Sequence, residues 1–353
     1  MRLRNYAQPL LAIFTTAALL GLAAAHAGDG AIAAAAAGVS REDDGSSETQ
    51  GNTAAAAAEG AVFLLRPEQR ELLAVSYHDG SLQAQIQLEG VPQAVVPTPG
   101  GVSVFVLLEQ SGTIEIYSAE DFSHQNTVDT GLDSILALSF SPNGDRVYAV
   151  SGDGSQVTEF RHRMLELTNP RQVDELPGSG ALVPNRRATR LYRGGDAGVY
   201  SLFGQSLQVV DEYSDALRNP VFEPGYSELW GVTPEGNVQV LDERSGQQRR
   251  REQITVRPQS GVVTDRISFL AQDGTRVYQF RPRSGAAPEI VELQQPADFL
   301  VRGSGQTVWA VSADGQLQEI LNGRVAASWG LDLDGIQGGV AAVVRRDGSF
   351  ACF

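Results

Sequence analysis

The stretch SFSPNGDRVYAVSGDGSQVTEF, from Ser139 to Phe160, decides the fold. It sets two short apolar strands and two glycine-bearing turns within 22 residues. Pro142-Asn143-Gly144 opens a tight turn, because proline presets φ and glycine accepts a positive φ. Asp153-Gly154 is a hairpin dipeptide between alternating apolar strands. The order is apolar strand, Pro/Gly turn, strand with an aromatic, acidic-Gly turn, strand. That order recurs as AVVPTPGGVSVFVLLEQSGTIEIY from Ala94 and ALVPNRRATRLYRGGDAGVYSLF from Ala181. It returns as PVFEPGYSELWGVTPEGNVQVL from Pro220, SGVVTDRISFLAQDGTRVYQF from Ser260 and FLVRGSGQTVWAVSADGQLQEI from Phe299. GVAAVVRRDGSFACF closes the chain from Gly339.

The middle strand of each unit carries an aromatic: Phe105, Tyr148, Tyr192, Trp230, Phe269, Trp309 and Phe350. Their spacing of about 40 residues is the period of four-stranded propeller blades. An aromatic at this place fills the space between stacked sheets. No segment after residue 60 shows a long helical period. Counting gives seven units, the first of them split. Residues 71–88 read as two outer strands without inner ones, and the chain end reads as inner strands without outer ones. The expected fold is therefore all-β: a seven-bladed β-propeller of four-stranded antiparallel blades. Pairing of N- and C-terminal strands closes the ring and removes open sheet edges. AVFLL at 61–65 and SFACF at 349–353 both compete for the second strand of the split blade.

LALSFSPNGDRVYAVSGDGSQVTEF, residues 136–160, resembles the exported YVTN-type, lactonase-like propellers. Their repeat runs apolar-x-Phe-Ser-Pro-x-Gly-x-aromatic-x-Val. The unit at 131–176 carries the close match, within a broader likeness over 61–353. The resemblance implies seven blades around a central channel. A propeller hosts many functions, so the resemblance transfers no catalytic residue.

Residues 1–27 read as an export signal: Arg2 and Arg4, an apolar core from Leu10 to Ala25, and Ala25-His26-Ala27 as the cleavage site. The core is shorter than the roughly 20 residues of a membrane span. Residues 28–60, rich in Ala, Gly, Ser and acids, lack the apolar side chains that would offset ordering and read as a flexible tether. The propeller then occupies 61–353. Cys352 is the lone cysteine, so no intramolecular disulfide forms and burial alone holds the fold. Net charge is −15, and −17 once Arg2 and Arg4 leave with the signal. Such a chain repels nucleic acid and anionic lipid. All 27 basic residues are arginine, which excludes Schiff-base chemistry.

After the signal three histidines remain, His78, His124 and His162, in different units and without ligand spacing. There is no Cys-x-x-Cys-His, no Gly-x-Ser-x-Gly, no Walker loop and no dinucleotide fingerprint in context. GLDLDG at 330–335 looks like a short calcium-ligand run but lacks the 12-residue spacing. The reading expects no cofactor and no metal.

Two constellations remain. An acid stands at the second-to-third-strand turn of successive units: Glu109, Asp153, Asp196, Glu235, Asp273 and Asp314. In a propeller these turns share one face, and a carboxylate ring there attracts a cation or a basic partner; acids also suit turns on their own account. A basic cluster, Arg186, Arg187, Arg190 and Arg193 with Arg244, Arg249, Arg250 and Arg251, lies in consecutive units. Arginine favours carboxylate and phosphate contacts; isolated surface arginines do little. The expected function is a non-catalytic exported module that binds a protein or an envelope polymer, neither nucleic acid nor membrane. The alternative is a lactonase-like hydrolase or isomerase working at the channel mouth.

Overall fold

The computed structural model describes residues 59–344, apart from 99, 164–165, 174–175, 224, 226, 259 and 304–305. The segment read as signal, the tether up to residue 58, and the end of the chain with Phe350 and Cys352 lie outside the described residues; Glu59 and Gly60, read as the end of the tether, instead begin a strand of the ring.

Seven four-stranded antiparallel sheets form the ring. Blades 2 to 7 follow the chain: 92–129, 135–173, 183–213, 218–255, 262–292 and 299–330. Blade 1 is the composite one, in the order Gly338–Val344, Glu59–Arg66, Glu71–Ser76, Leu82–Gln87. The competition for its second strand is thereby settled. Glu59–Arg66 pairs antiparallel with both Gly338–Val344 and Glu71–Ser76, with Phe63 opposite Val340 and Ala74. Glu59–Arg66 is thereby an interior strand paired on both sides, and Gly338–Val344 takes the first place in the sheet, paired on one side.

Six of the register aromatics stand on second strands as expected, and Phe105, Tyr148, Tyr192, Trp230, Phe269 and Trp309 are all buried. In blade 1 Phe63, fully buried, takes the equivalent place. Each interface between neighbouring blades has its own apolar cluster, so seven interfaces share the core. The cluster between blades 4 and 5 is the smallest of them. Outer strands alternate exposed and half-buried, as in 248–255, because only one of their faces meets a neighbouring blade.

The antiparallel order gives the ring two faces. The upper face carries the second-to-third-strand turns and the linkers between blades. The lower face carries the first-to-second and third-to-fourth turns. The chain enters blade 1 on the lower face: Glu59 starts its second strand, and the Gly60 carbonyl accepts from the Tyr77 amide in the third-to-fourth turn.

Candidate functional site

On the upper face the six expected acids fall one to a blade, from blade 2 to blade 7, and all are exposed. Glu68 in the Pro67–Arg70 turn supplies the blade 1 member; the split of that blade hid it in the sequence. The carboxylates are not equivalent. Asp153 accepts from Ser151 Oγ at 2.6 Å and from the Ser155 amide at 3.0 Å. These bonds, the Ser151 one foremost, hold its carboxyl down at about 2. Asp273 accepts from the amide of Thr275 at 3.0 Å, and Asp314 from the Ser312 hydroxyl. Asp196 pairs with Arg218 at 2.6 Å and Glu235 with Arg251 at 3.3 Å. Glu109 alone of the six has no partner among the described residues. Turn geometry thus accounts for Asp153, Asp273 and Asp314 through Asx-type bonds.

The basic cluster does not assemble as one patch. Arg193 is a correction: its side chain is fully buried rather than on the surface. It ends the second strand of blade 4 and points into the linker that joins blades 3 and 4. Nη1 donates to the carbonyls of Gly154 at 2.7 Å and Leu176 at 3.0 Å, and Nε to Gly180 at 3.1 Å. Burial pushes its guanidinium down to about 10, so it stays charged at neutral pH. Gly154 has φ +74°, and a Cβ there would stand 2.9 Å from the guanidinium. The Asp-Gly turn is therefore required for the arginine as well as for the hairpin.

Arg190 donates to Ser201 and pairs with Asp211. On the outer strand of blade 5, Arg249 pairs with Glu228 and Asp242, Arg250 with Glu252, and Arg251 with Glu235. Arg250 also lies over the Phe280 ring, 5.2 Å from its centroid, which fastens blade 5 to blade 6. These four are spent within the fold.

Arg186 and Arg187 differ. Both are exposed in the lower-face turn 185–189 of blade 4, and Arg244 is exposed in the lower-face turn that starts blade 5's outer hairpin. None of the three has a side-chain partner among the described residues. The two turns are joined: Asn185 Nδ2 donates to Glu243 Oε1 at 2.8 Å. Tyr192 OH donates to the same oxygen at 2.9 Å, and Tyr213 OH to the Glu243 carbonyl at 2.6 Å. This polar knot fixes the two arginine-bearing turns beside each other where the apolar cluster is smallest.

Blade 4 adds what sequence reading missed. Phe203, Val209 and Val210 are 42%, 48% and 47% exposed, half of the six large apolar side chains exposed among the described residues. They flank the turn 204–208, whose Gly204 amide donates to the Thr189 carbonyl beside the arginines. The ladder slips between Ser201 and Leu202, so Val210 has no cross-strand partner. A bulge of this kind re-aims side chains at a sheet edge. Nothing in the local pattern VVDEY distinguishes such a strand from a covered one.

His162 is no ligand candidate. It is half-buried between Phe105 and Phe140, edge-on to both at 5.6 and 5.5 Å, and its Nδ1 meets the Gly144 carbonyl at 3.0 Å. Among the described residues no three His, Cys, Asp or Glu side chains converge as a metal would need. Of GLDLDG, Asp334 belongs to the linker from blade 7 to blade 1, where its carbonyl accepts from Arg66 Nε at 2.7 Å. No helix among the described residues is long and apolar enough to cross a membrane.

No protein-family model matches this chain, and no curated protein sequence does. Solved structures do. A protein of unknown function from Desulfotomaculum acetoxidans DSM 771 superposes with a TM-score of 0.63 at 12% identity, over 80% of this chain and 98% of that one. The dihydro-heme d1 dehydrogenase NirN, in complex with DHE, gives 0.56 at 12% identity over 76% of this chain. The match spans 63% of NirN, less than two thirds of its length. Apo AztD from Citrobacter koseri gives 0.55 at 10% identity, over 79% of this chain and 84% of that one. At these identities the likeness is one of fold, the seven-bladed propeller, and chemistry does not travel with it.

Proposed function

We propose that this protein is an exported, non-catalytic binding module that holds an acidic polypeptide or envelope polymer on the lower face of blades 4 and 5. One observation carries the reading: Arg186, Arg187 and Arg244 are exposed, without side-chain partners among the described residues, beside the exposed Phe203, Val209 and Val210. Unpaired arginines next to an uncovered apolar patch supply both halves of a docking surface, orientation by charge and area by burial. The cluster stands out in a chain of net −15. Export rests on the signal-like start at 1–27.

Polyglutamate is the first probe. The full chain is expected to bind it with an affinity that falls as salt rises, and Arg186→Ser with Arg187→Ser is expected to weaken binding several-fold. Equal binding by both forms, or none by either, overturns the reading.

The second reading, a lactonase-like hydrolase or isomerase at the channel mouth, is favoured by the likeness of 136–160 to the YVTN-type repeat. Lactone turnover by the purified chain supports it; a flat panel of lactones removes it.

A further inference from the structure

The lower-face surface on blades 4 and 5 has a candidate occupant within the same chain. Glu59, the first described residue, begins the second strand of blade 1 on the lower face, the side that carries Arg186, Arg187 and Arg244. The residues before it include Glu42-Asp43-Asp44 and Glu48, with Val39 just ahead of them. The upper face repels such a stretch. Its turns and linkers carry acids in every blade, against two arginines in those segments among the described residues that reach the surface, Arg70 and Arg257. On the lower face Arg281 and Arg324 also lack side-chain partners among the described residues, but they stand in turns of different blades, and Arg283 beside Arg281 is engaged. The blade 4 and 5 arginines are the ones that a hydrogen-bonded pair of turns brings together.

Reach permits the contact. The 15 residues from Asp44 to Glu59 span at most roughly 50 Å when extended. A blade of four strands about 4.8 Å apart is roughly 15 Å deep, so crossing the ring takes roughly 30–40 Å. A segment tied to its own receptor at this distance has an effective concentration near the millimolar range, so even a weak contact is occupied.

We propose that the acidic stretch 42–48 docks in cis on Arg186, Arg187 and Arg244, with Val39 toward the exposed valines and phenylalanine of blade 4, and competes there with outside ligands. This rests on the reading of that surface as the binding site, and it adds the regulation of that site.

The absence of lysine makes the test clean. Arg187→Lys, in the full chain, keeps the charge and introduces one side-chain amine, which a carbodiimide couples to any carboxylate in contact. Peptide mass mapping is expected to find that amine joined to Glu42, Asp43, Asp44 or Glu48 of the same chain. The yield should fall several-fold in roughly 0.5 M salt, where screening acts within about 4 Å. Arg281→Lys, on blade 6, should give no such product. Coupling confined to carboxylates of the ring, or links that join two chains, overturns the proposal.

A second measurement separates this failure from failure of the binding reading. Glu42→Gln with Asp43→Asn and Asp44→Asn should bind polyglutamate several-fold tighter than the unaltered chain. Unchanged binding by that variant, with no coupled product, removes the docking and leaves the binding module standing. Coupled product with the acidic stretch unaltered, and no polyglutamate binding by the neutralised variant, removes the binding module and the competition that rests on it.

Discussion

The hydroxyl of Tyr192, on the second strand of blade 4, donates at 2.9 Å to Oε1 of Glu243 in the outer turn of blade 5. The same oxygen accepts from Asn185 at 2.8 Å. Burial and the neighbouring carboxylate push the phenol well above the ordinary tyrosine range, so it stays a donor at any ordinary pH. Glu243 is thus the polar rivet of the interface with the smallest apolar cluster.

Glu243→Ala takes the carboxylate from both donors at once, leaving the Tyr192 hydroxyl only the long bond to the residue 243 carbonyl at 3.4 Å and the Asn185 amide only Thr189 Oγ1 at 3.1 Å. A cost of about 2–3 kcal/mol is expected, read as a lower urea midpoint at unchanged slope. Tyr192→Phe removes one donor and should cost about 1 kcal/mol. The double variant should show a coupling of more than about 0.5 kcal/mol, because the two groups touch. Additive effects would disprove the contact.

Arg193 makes the sharpest case for a structural arginine. Arg193→Met leaves the carbonyls of Gly154, Leu176, Pro177 and Gly180 without their donor. A loss of about 3 kcal/mol or more is expected in chemical unfolding. Arg193→Lys should recover only part, since an ammonium cannot reach the same spread of carbonyls. If Met substitution left the midpoint unmoved, the clamp would be wrong.

His162 predicts a pH window. Burial lowers its affinity for a proton below the ordinary value of 6.5, against the opposing bond to Gly144. The folded state therefore prefers the neutral ring, while the unfolded chain protonates near 6.5. Stability from this group is full above that value and is lost as pH falls from there toward the depressed folded value. The slope is at most about 1.4 kcal/mol per pH unit. His162→Gln should flatten the dependence just below 6.5, above the range where unperturbed carboxylates titrate. A parallel profile for both proteins would contradict this.

Ring closure predicts an equivalence. Phe63 is buried on the composite blade as fully as Phe105 is on a continuous one. Phe63→Ala should cost about 3–5 kcal/mol, as should Phe105→Ala. Val340→Pro should also destabilise, because it breaks the ladder opposite Phe63. A mild Phe63→Ala beside a severe Phe105→Ala would show that the closing blade adds little to the ring.

Much of this architecture is legible along the chain because its signals are local. Pro142-Asn143-Gly144 and Asp153-Gly154 set turns by backbone preference, and strand alternation sets which side chains face a neighbour. Repetition then multiplies these weak cues into a blade count. The split blade was legible up to one strand: 61–65 and 349–353 are both apolar and both short. Only the register of Phe63 with Val340 and Ala74 decides between them.

The site was legible in part and for the same reason. Acids at one turn of each repeat fall on one face once the repeat is a blade, so Glu109 and its equivalents could be placed together from the sequence. The arginines could not be sorted. Arg186, Arg187, Arg190 and Arg193 lie within eight residues, and sequence proximity makes them look alike. Strand direction carries Arg193 from the lower face to the upper one and buries it under a linker. Arg190 meets Asp211 on the outer strand, and only Arg186 and Arg187 are left in solvent.

The sequence by itself determined the fold class, the number of blades and the face on which the acids stand. These follow from period, turn chemistry and apolar alternation, which act between residues close in the chain. Tertiary structure alone decided which charges are free. An ion pair or a buried clamp depends on what another blade brings within about 3 Å, and that distance is set by ring closure and sheet twist, not by spacing along the chain.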